Sequence, residues 1–211
     1  MDASPAAQVD PRRHDRFFLR QRFAMMINRY EVSTLGADGK SAGEPVSFVE
    51  QKRIKLKEDL RSFTDDSKTT EVFRIKAQQV WDPRARYDVT DPAGQQIGQL
   101  QKVFGESLLR STWRIYDAAG NQVGWARERN LFVAVFRRLI GFVPFIGGFA
   151  DLLPIPYHFD YFIEDRKIGG LERILGVRDR YRLDVSGDSE RTIDRRAILA
   201  LAVGMDALQA R

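Results

Sequence analysis

The sequence predicts an all-β fold, a single closed barrel of β-hairpins wrapped around a buried C-terminal helix. Three observations predict it. Short aromatic and β-branched runs succeed one another from residue 17, with turn residues between them. One hairpin motif recurs at a fixed offset. The chain closes with a stretch that is apolar on every side.

The runs are Phe17–Met26, Arg29–Thr34, Val46–Gln51, Glu71–Ala77, Ala85–Thr90, Gln96–Phe104, Leu108–Tyr116 and Gln122–Arg127, continued by Tyr157–Glu164, Lys167–Ile174 and Arg180–Val185. Strand-length segments at this spacing indicate a sandwich or barrel. Residues 1–15, rich in Ala, Pro and Asp, read as a flexible leader, and residues 16–211 as one domain. No apolar core follows the leader, so a cleaved signal peptide is not expected.

The repeat carries the hairpin assignment. Tyr87–Gly98 recurs as Trp113–Gly124, so that Asp91 matches Asp117, Gly94 matches Gly120 and Gly98 matches Gly124. Asp opens a type I turn, Pro92 or Ala118 follows, and Gly takes the position that tolerates positive φ. Phe159–Gly169 is a shorter third copy, and Tyr30 to Val46 reads as the first hairpin, turning through Gly36–Gly43.

Two segments leave the β pattern. Residues 130–156 form an apolar insertion whose longest uncharged run, Leu139–Ala150, is broken by Gly and Pro. A bilayer-spanning helix needs about 20 apolar residues, so this run is too short to be one. The predicted terminal helix spans about 190–209, with Asp188 or Ser189 as N-cap and Asp194 in its first turns. Its centre, Ala197–Met205, has no polar face, which calls for burial on all sides. An eight-stranded barrel is filled by its own side chains, so a barrel holding this helix must be larger.

The repeated Tyr87…Asp91-x-x-Gly94-x-x-Ile97-Gly98 hairpin, the preceding Glu71-Val-Phe-Arg-Ile-Lys76 and the apolar helix from Ile193 to Leu208 resemble the tubby C-terminal-like superfamily. The likeness falls on the branch of the phospholipid scramblases and the LURP-one-related proteins, and covers residues 17–209. It implies a barrel of about twelve strands around a central hydrophobic helix. It also implies acidic-lipid partners, since tubby-like domains are associated with phosphoinositide headgroups and scramblases with acidic lipids, calcium and palmitoylation. This chain has no cysteine to palmitoylate, and Asp65-Asp66 is not followed by the further acids of a calcium segment.

Composition bounds the chemistry. The absence of cysteine excludes disulfides, thiolate metal sites and a cysteine nucleophile, and is compatible with the cytoplasm. The two histidines, His14 and His158, stand in no metal-ligand spacing. There is no Gly-x-Ser-x-Gly elbow. Gly141 and Gly147-Gly148 lack the Lys-Ser/Thr of a phosphate loop. Neither an enzyme nor a cofactor is expected.

The net charge of +5 favours anionic partners. Arg12, Arg13, Arg16, Arg20 and Arg22 interleave with Phe17, Phe18 and Phe23; Lys52, Arg53, Lys55 and Lys57 form a denser run; Arg178, Arg180, Arg182 and Arg191 lie near the last strand. Solvated strand faces account for such groups more simply than nucleic acid does. The anion-binding candidates are Lys52, Arg53, Lys55 and Lys57. In the insertion, Arg137 and Arg138 adjoin Leu139, Phe142, Phe145 and Phe149, a pairing suited to an anionic membrane interface. Packing over a barrel end is the simpler use of that segment, and contact with a protein partner is a further one. The leading expectation is a non-catalytic module for anionic lipid, cytoplasmic and peripheral at the inner face of the membrane. The alternative is a protein-interaction or self-associating domain.

Overall fold

A computed structural model describes residues 9–24, 27–52, 59–78, 86–103, 111–129, 158–174 and 180–209. The described strands are β1 (Arg16–Ala24), β2 (Ile27–Leu35), β3 (Ala42–Lys52), β4 (Asp59–Phe63), β5 (Glu71–Ala77), β6 (Arg86–Thr90), β7 (Gln96–Val103), β8 (Thr112–Tyr116), β9 (Gln122–Glu128), β10 (His158–Ile163), β11 (Arg166–Ile174) and β12 (Arg180–Asp184). Each pairs antiparallel with its sequence neighbours, and β12 closes on β1 in the register Arg16↔Asp184 to Arg20↔Arg180. The helix α1 spans Arg195–Gln209.

Alternation decides which side chains enter the lumen. On β1, Phe17, Leu19 and Gln21 are buried, and the intervening Arg16, Arg20 and Arg22 face outward. Phe73 and Ile75 on β5, Trp113 and Ile115 on β8, and Phe159 and Tyr161 on β10 are fully buried in the same way. An apolar interior and a charged wall reverse the pattern of a barrel that faces lipid. Among the described residues no helix is long and apolar enough to cross a membrane.

The helix occupies that interior. Every residue from Ala197 to Met205 is buried, so no face of this stretch meets solvent. Size explains the fit. Twelve strands about 4.8 Å apart and tilted about 40° close at roughly 24 Å across. A helix about 10 Å wide then leaves roughly 7 Å on each side, one layer of side chains. Eight strands would leave roughly 3 Å.

The repeated hairpins have one geometry. Asp91 accepts Gln95 N–H at 2.8 Å and its carbonyl accepts Gly94 N–H at 3.0 Å; Asp117 accepts Asn121 N–H at 2.8 Å and its carbonyl accepts Gly120 N–H at 3.2 Å. Gly94 and Gly120 sit at φ +81° and +85°. The pairing shifts by one residue at Val89/Thr90 and again at Ile115/Tyr116, the equivalent places. The closing glycines of the repeat face the lumen. A Cβ on Gly98 would lie 2.8 Å from the Tyr116 carbonyl and 3.4 Å from Ala197 Cβ; one on Gly124 would lie 2.8 Å from the Phe162 carbonyl and 2.7 Å from Ile193 Cδ1.

The start of the helix corrects the sequence reading. Asp194, not Asp188 or Ser189, is its cap. The Asp194 carboxylate accepts Arg196 N–H at 2.8 Å and its carbonyl accepts Ile198 N–H at 3.1 Å. Asp188 instead closes the preceding turn, accepting Thr192 N–H at 3.0 Å and Ile193 N–H at 3.1 Å. Arg195, 1% exposed, plugs this end, donating to the Asp188 carboxylate at 2.7 Å and to Asp15 at 2.8 Å. Burial opposes ionisation of Asp188, yet Arg195 and the two backbone N–H groups hold its carboxyl below its usual range. Residues 10–15, placed in the leader by the sequence, are held here as well. Pro11 is buried, Val185 N–H donates to the Asp15 carbonyl at 2.9 Å, and Arg191 donates to the carbonyls of Arg12 and Arg13.

Candidate functional site

In an up-and-down barrel, alternate connections leave from opposite ends. The turns at 36–41, 64–70, 91–95, 117–121 and 164–165 and the crossover at 185–194 lie at one end, here the turn rim. Connections 25–26, 53–58, 79–85, 104–110, 130–157 and 175–179 all leave from the other, the loop rim. Arg53, Lys55, Lys57, Arg137, Arg138, Leu139, Phe142, Phe145 and Phe149 lie outside the described residues. So does the whole insertion. Lys52 is the last residue of β3, paired with Ile27. The strands that bound the two candidate segments fix where those segments are attached. Both leave the loop rim, six strands apart, which puts them on opposite sides of a mouth roughly 24 Å wide.

Charge divides between the rims in the same sense. The turn-rim connections contain ten acidic residues and three basic ones. The loop-rim connections contain eight basic and five acidic. The asymmetry follows from turn chemistry. Asp38 accepts Lys40 and Ser41 N–H at 2.9 and 2.8 Å, Asp65 accepts Ser67 N–H at 2.9 Å, and Asp91, Asp117 and Asp188 act likewise. Asp is placed at those positions because its short carboxylate replaces a backbone acceptor.

The outer wall joins the rims and carries the strand charges. Across β9 to β12 it is balanced. Arg129 donates to Asp160 at 2.9 Å and to Glu172 at 2.9 Å, Lys167 reaches Asp160 at 2.8 Å, and Arg182 pairs with Glu172. Partial burial works against ionisation of Asp160 and Glu172, but these hydrogen bonds hold both carboxyls below their usual range. His158 stands beside this network, opposite Glu172. Burial, and then the charge of Arg129, push its imidazole below the usual range. On the same wall Trp125 stacks on Phe162 with centroids 4.1 Å apart, and Arg127 lies 5.1 Å from the Trp125 ring.

Two basic groups far apart in the sequence meet at the barrel seam. Arg20 of the first group faces Arg180 of the third, and Phe18 faces Arg182. Phe17 and Phe18 are buried, at 0% and 5% exposure. Arg29, not singled out in the sequence, faces Arg22. Only the register shows these pairings. Among the described residues no group of three His, Asp or Glu side chains is arranged to hold a metal.

The family model described as LURP-one-related matches residues 46–206, from the third strand into the helix. The chain belongs to the LURP-one-related family. That family lies within the tubby-like C-terminal superfamily, whose domains are generally non-enzymatic, and the closed barrel is the fold expected of it. No curated protein and no solved structure matches the chain.

Proposed function

We propose that this LURP-one-related domain is a non-catalytic module that docks its loop rim on an anionic membrane surface. The observation that carries the proposal is the attachment of the Lys52–Lys57 run and the apolar, Arg137-Arg138-bearing insertion to one rim, with the acidic turns at the other. A basic rim faces acidic headgroups favourably, and apolar side chains among the cations add interfacial burial. The cytoplasmic leaflet, where anionic lipid is concentrated, is the surface such a rim suits.

Co-sedimentation with neutral and anionic vesicles tests this. The expected result is binding that needs anionic lipid and weakens with salt. Each of Arg53→Gln, Lys55→Gln, Arg137→Gln and Arg138→Gln should lower affinity about fivefold, since a basic residue near such a surface contributes about 1 kcal/mol. Absence of binding at low salt, or binding indifferent to these changes, would sink the proposal.

A second reading rests on the opposed charge of the rims. The acidic turn rim of one copy complements the basic loop rim of another, which favours head-to-tail self-association. Sedimentation velocity at rising concentration separates the two readings. A monomer at low salt and high concentration removes the second.

A further inference from the structure

Like charges directly opposite each other across two strands are destabilising, and the wall at β12, β1 and β2 contains two such pairs. Arg20 faces Arg180, and Arg22 faces Arg29. Arg20 and Arg22 lie on the same face of β1, so the four guanidinium groups form one patch. Its acid is Glu31, opposite Arg20. That carboxylate is already shared, by Arg20 at 2.5 Å and by Arg22 at 2.6 Å. The acid beyond it, Glu50, lies opposite Arg29 on β3 and pairs with Lys68. Arg29 and Arg180 are therefore left over, and the Nε of each is buried with no hydrogen-bond partner.

The flanks show that this is local. Arg16 pairs with Asp184 at 3.1 Å, and Arg182 pairs with Glu172. The patch is the place where the seam of the barrel brings cations together without acids to match. A buried donor lacking an acceptor is costly, and a charged one more so. Four guanidinium groups beside two carboxylates, Glu31 shared by Arg20 and Arg22 and Glu50 paired with Lys68, leave a positive surplus, with planar donor forks that match phosphate oxygens two at a time.

We infer that Arg20, Arg22, Arg29 and Arg180 form a binding site for a phosphate-bearing anion, with Arg29 and Arg180 as its principal donors. The site is built on described strand residues of the wall and stands whether or not the loop rim meets a membrane. A free polyphosphate and a phosphate-monoester lipid headgroup offer it the same chemistry.

The test uses the full chain and two probes, inorganic pyrophosphate by calorimetry and phosphatidylcholine vesicles with or without phosphatidic acid. Saturable one-to-one binding of pyrophosphate marks a free anion as the ligand. Binding confined to phosphatidic acid vesicles and sensitive to the arginine pair marks a headgroup. Either supports the site. The double variant Arg29→Gln/Arg180→Gln should lose at least tenfold in affinity, and Arg114→Gln on the far wall less than twofold. Removing the pair also relieves repulsion, so the anion-free double variant should melt no lower than the parent chain. Should the double variant fold poorly, Arg29→Lys/Arg180→Lys keeps the charge, loses the forks and should bind several-fold more weakly. The inference is overturned if neither probe binds, if these pairs of substitutions change nothing, or if Arg114→Gln costs as much. Loop-rim variants should leave pyrophosphate binding unchanged, so failure of the membrane reading would not be mistaken for failure of this one.

Discussion

At the turn rim, five of the six connections are seven residues or shorter, and the carboxylates of Asp38, Asp65, Asp91, Asp117 and Asp188 are bound to backbone N–H groups beside them. At the loop rim, one connection runs from 130 to 157 and another carries Arg53, Lys55 and Lys57. Acids at the first rim are consumed in making turns and in anchoring the helix. Cations at the second lie in connections between the described strands. The described carboxylates of the first rim thus serve the fold. The negative charge of the turn rim is a by-product of Asp being a good turn residue, and it leaves the basic surplus on the loop rim and the wall.

The largest expected effect lies at the turn rim. Arg195→Met leaves the fully buried Asp188 without its cation and should cost about 3–5 kcal/mol in urea unfolding. Arg53→Gln and Arg137→Gln at the loop rim should stay within about 0.5 kcal/mol of the parent chain. Equal losses at the two rims would end the comparison.

Next in size is Gly124→Ala, whose methyl would press on the Phe162 carbonyl and Ile193. Overpacking of this kind costs about 1–3 kcal/mol, and a lowered melting temperature would report it. A smaller loss, about 1 kcal/mol, is expected for Gly120→Ala, which puts a Cβ at φ +85°.

Acid provides a graded test. Asp188, Asp160 and Glu172 have carboxyls held below their usual range, so the unfolded chain takes up protons first as pH falls. Their contribution is present above the ordinary carboxylate range and is lost as pH falls through and below it. The depressed imidazole of His158 adds a shallower loss that begins below about 6.5. Unfolding free energy measured from pH 7 to 3 should therefore drop mainly below about 4.5. In Arg195→Met the Asp188 part of that drop should shrink, since only the Thr192 and Ile193 N–H groups then favour its carboxylate.

Much of the fold was legible because its signals are local. The Asp-x-x-Gly turns, the alternation on β5 and the faceless apolar run at Ala197–Met205 each follow from neighbours in sequence. β4 was missed. It has five residues, only Leu60 and Ser62 face inward, and it follows the charged run from Lys52 to Glu58. The sequence points to Asp188 or Ser189 as the helix cap, five or six residues before Asp194, because a residue that closes a turn and one that caps a helix look alike in sequence. The arginine patch was invisible for a different reason. Arg20 and Arg180 meet only through closure of β12 on β1, and a register shift of one residue would send either into the lumen. The candidate segments were legible as composition, and topology alone adds that they share a rim.

The two rims should differ in what they meet. The chain has no cysteine, so a single environment-sensitive probe can be placed at either end. Ala119→Cys marks the exposed turn after Asp117, and Gln78→Cys the exposed end of β5 at the loop rim. With anionic vesicles at low salt, the probe at residue 78 should shift to the blue and the one at residue 119 should not. Equal shifts at both positions, or a shift at residue 119 alone, would mean that the loop rim is not the face that meets the membrane.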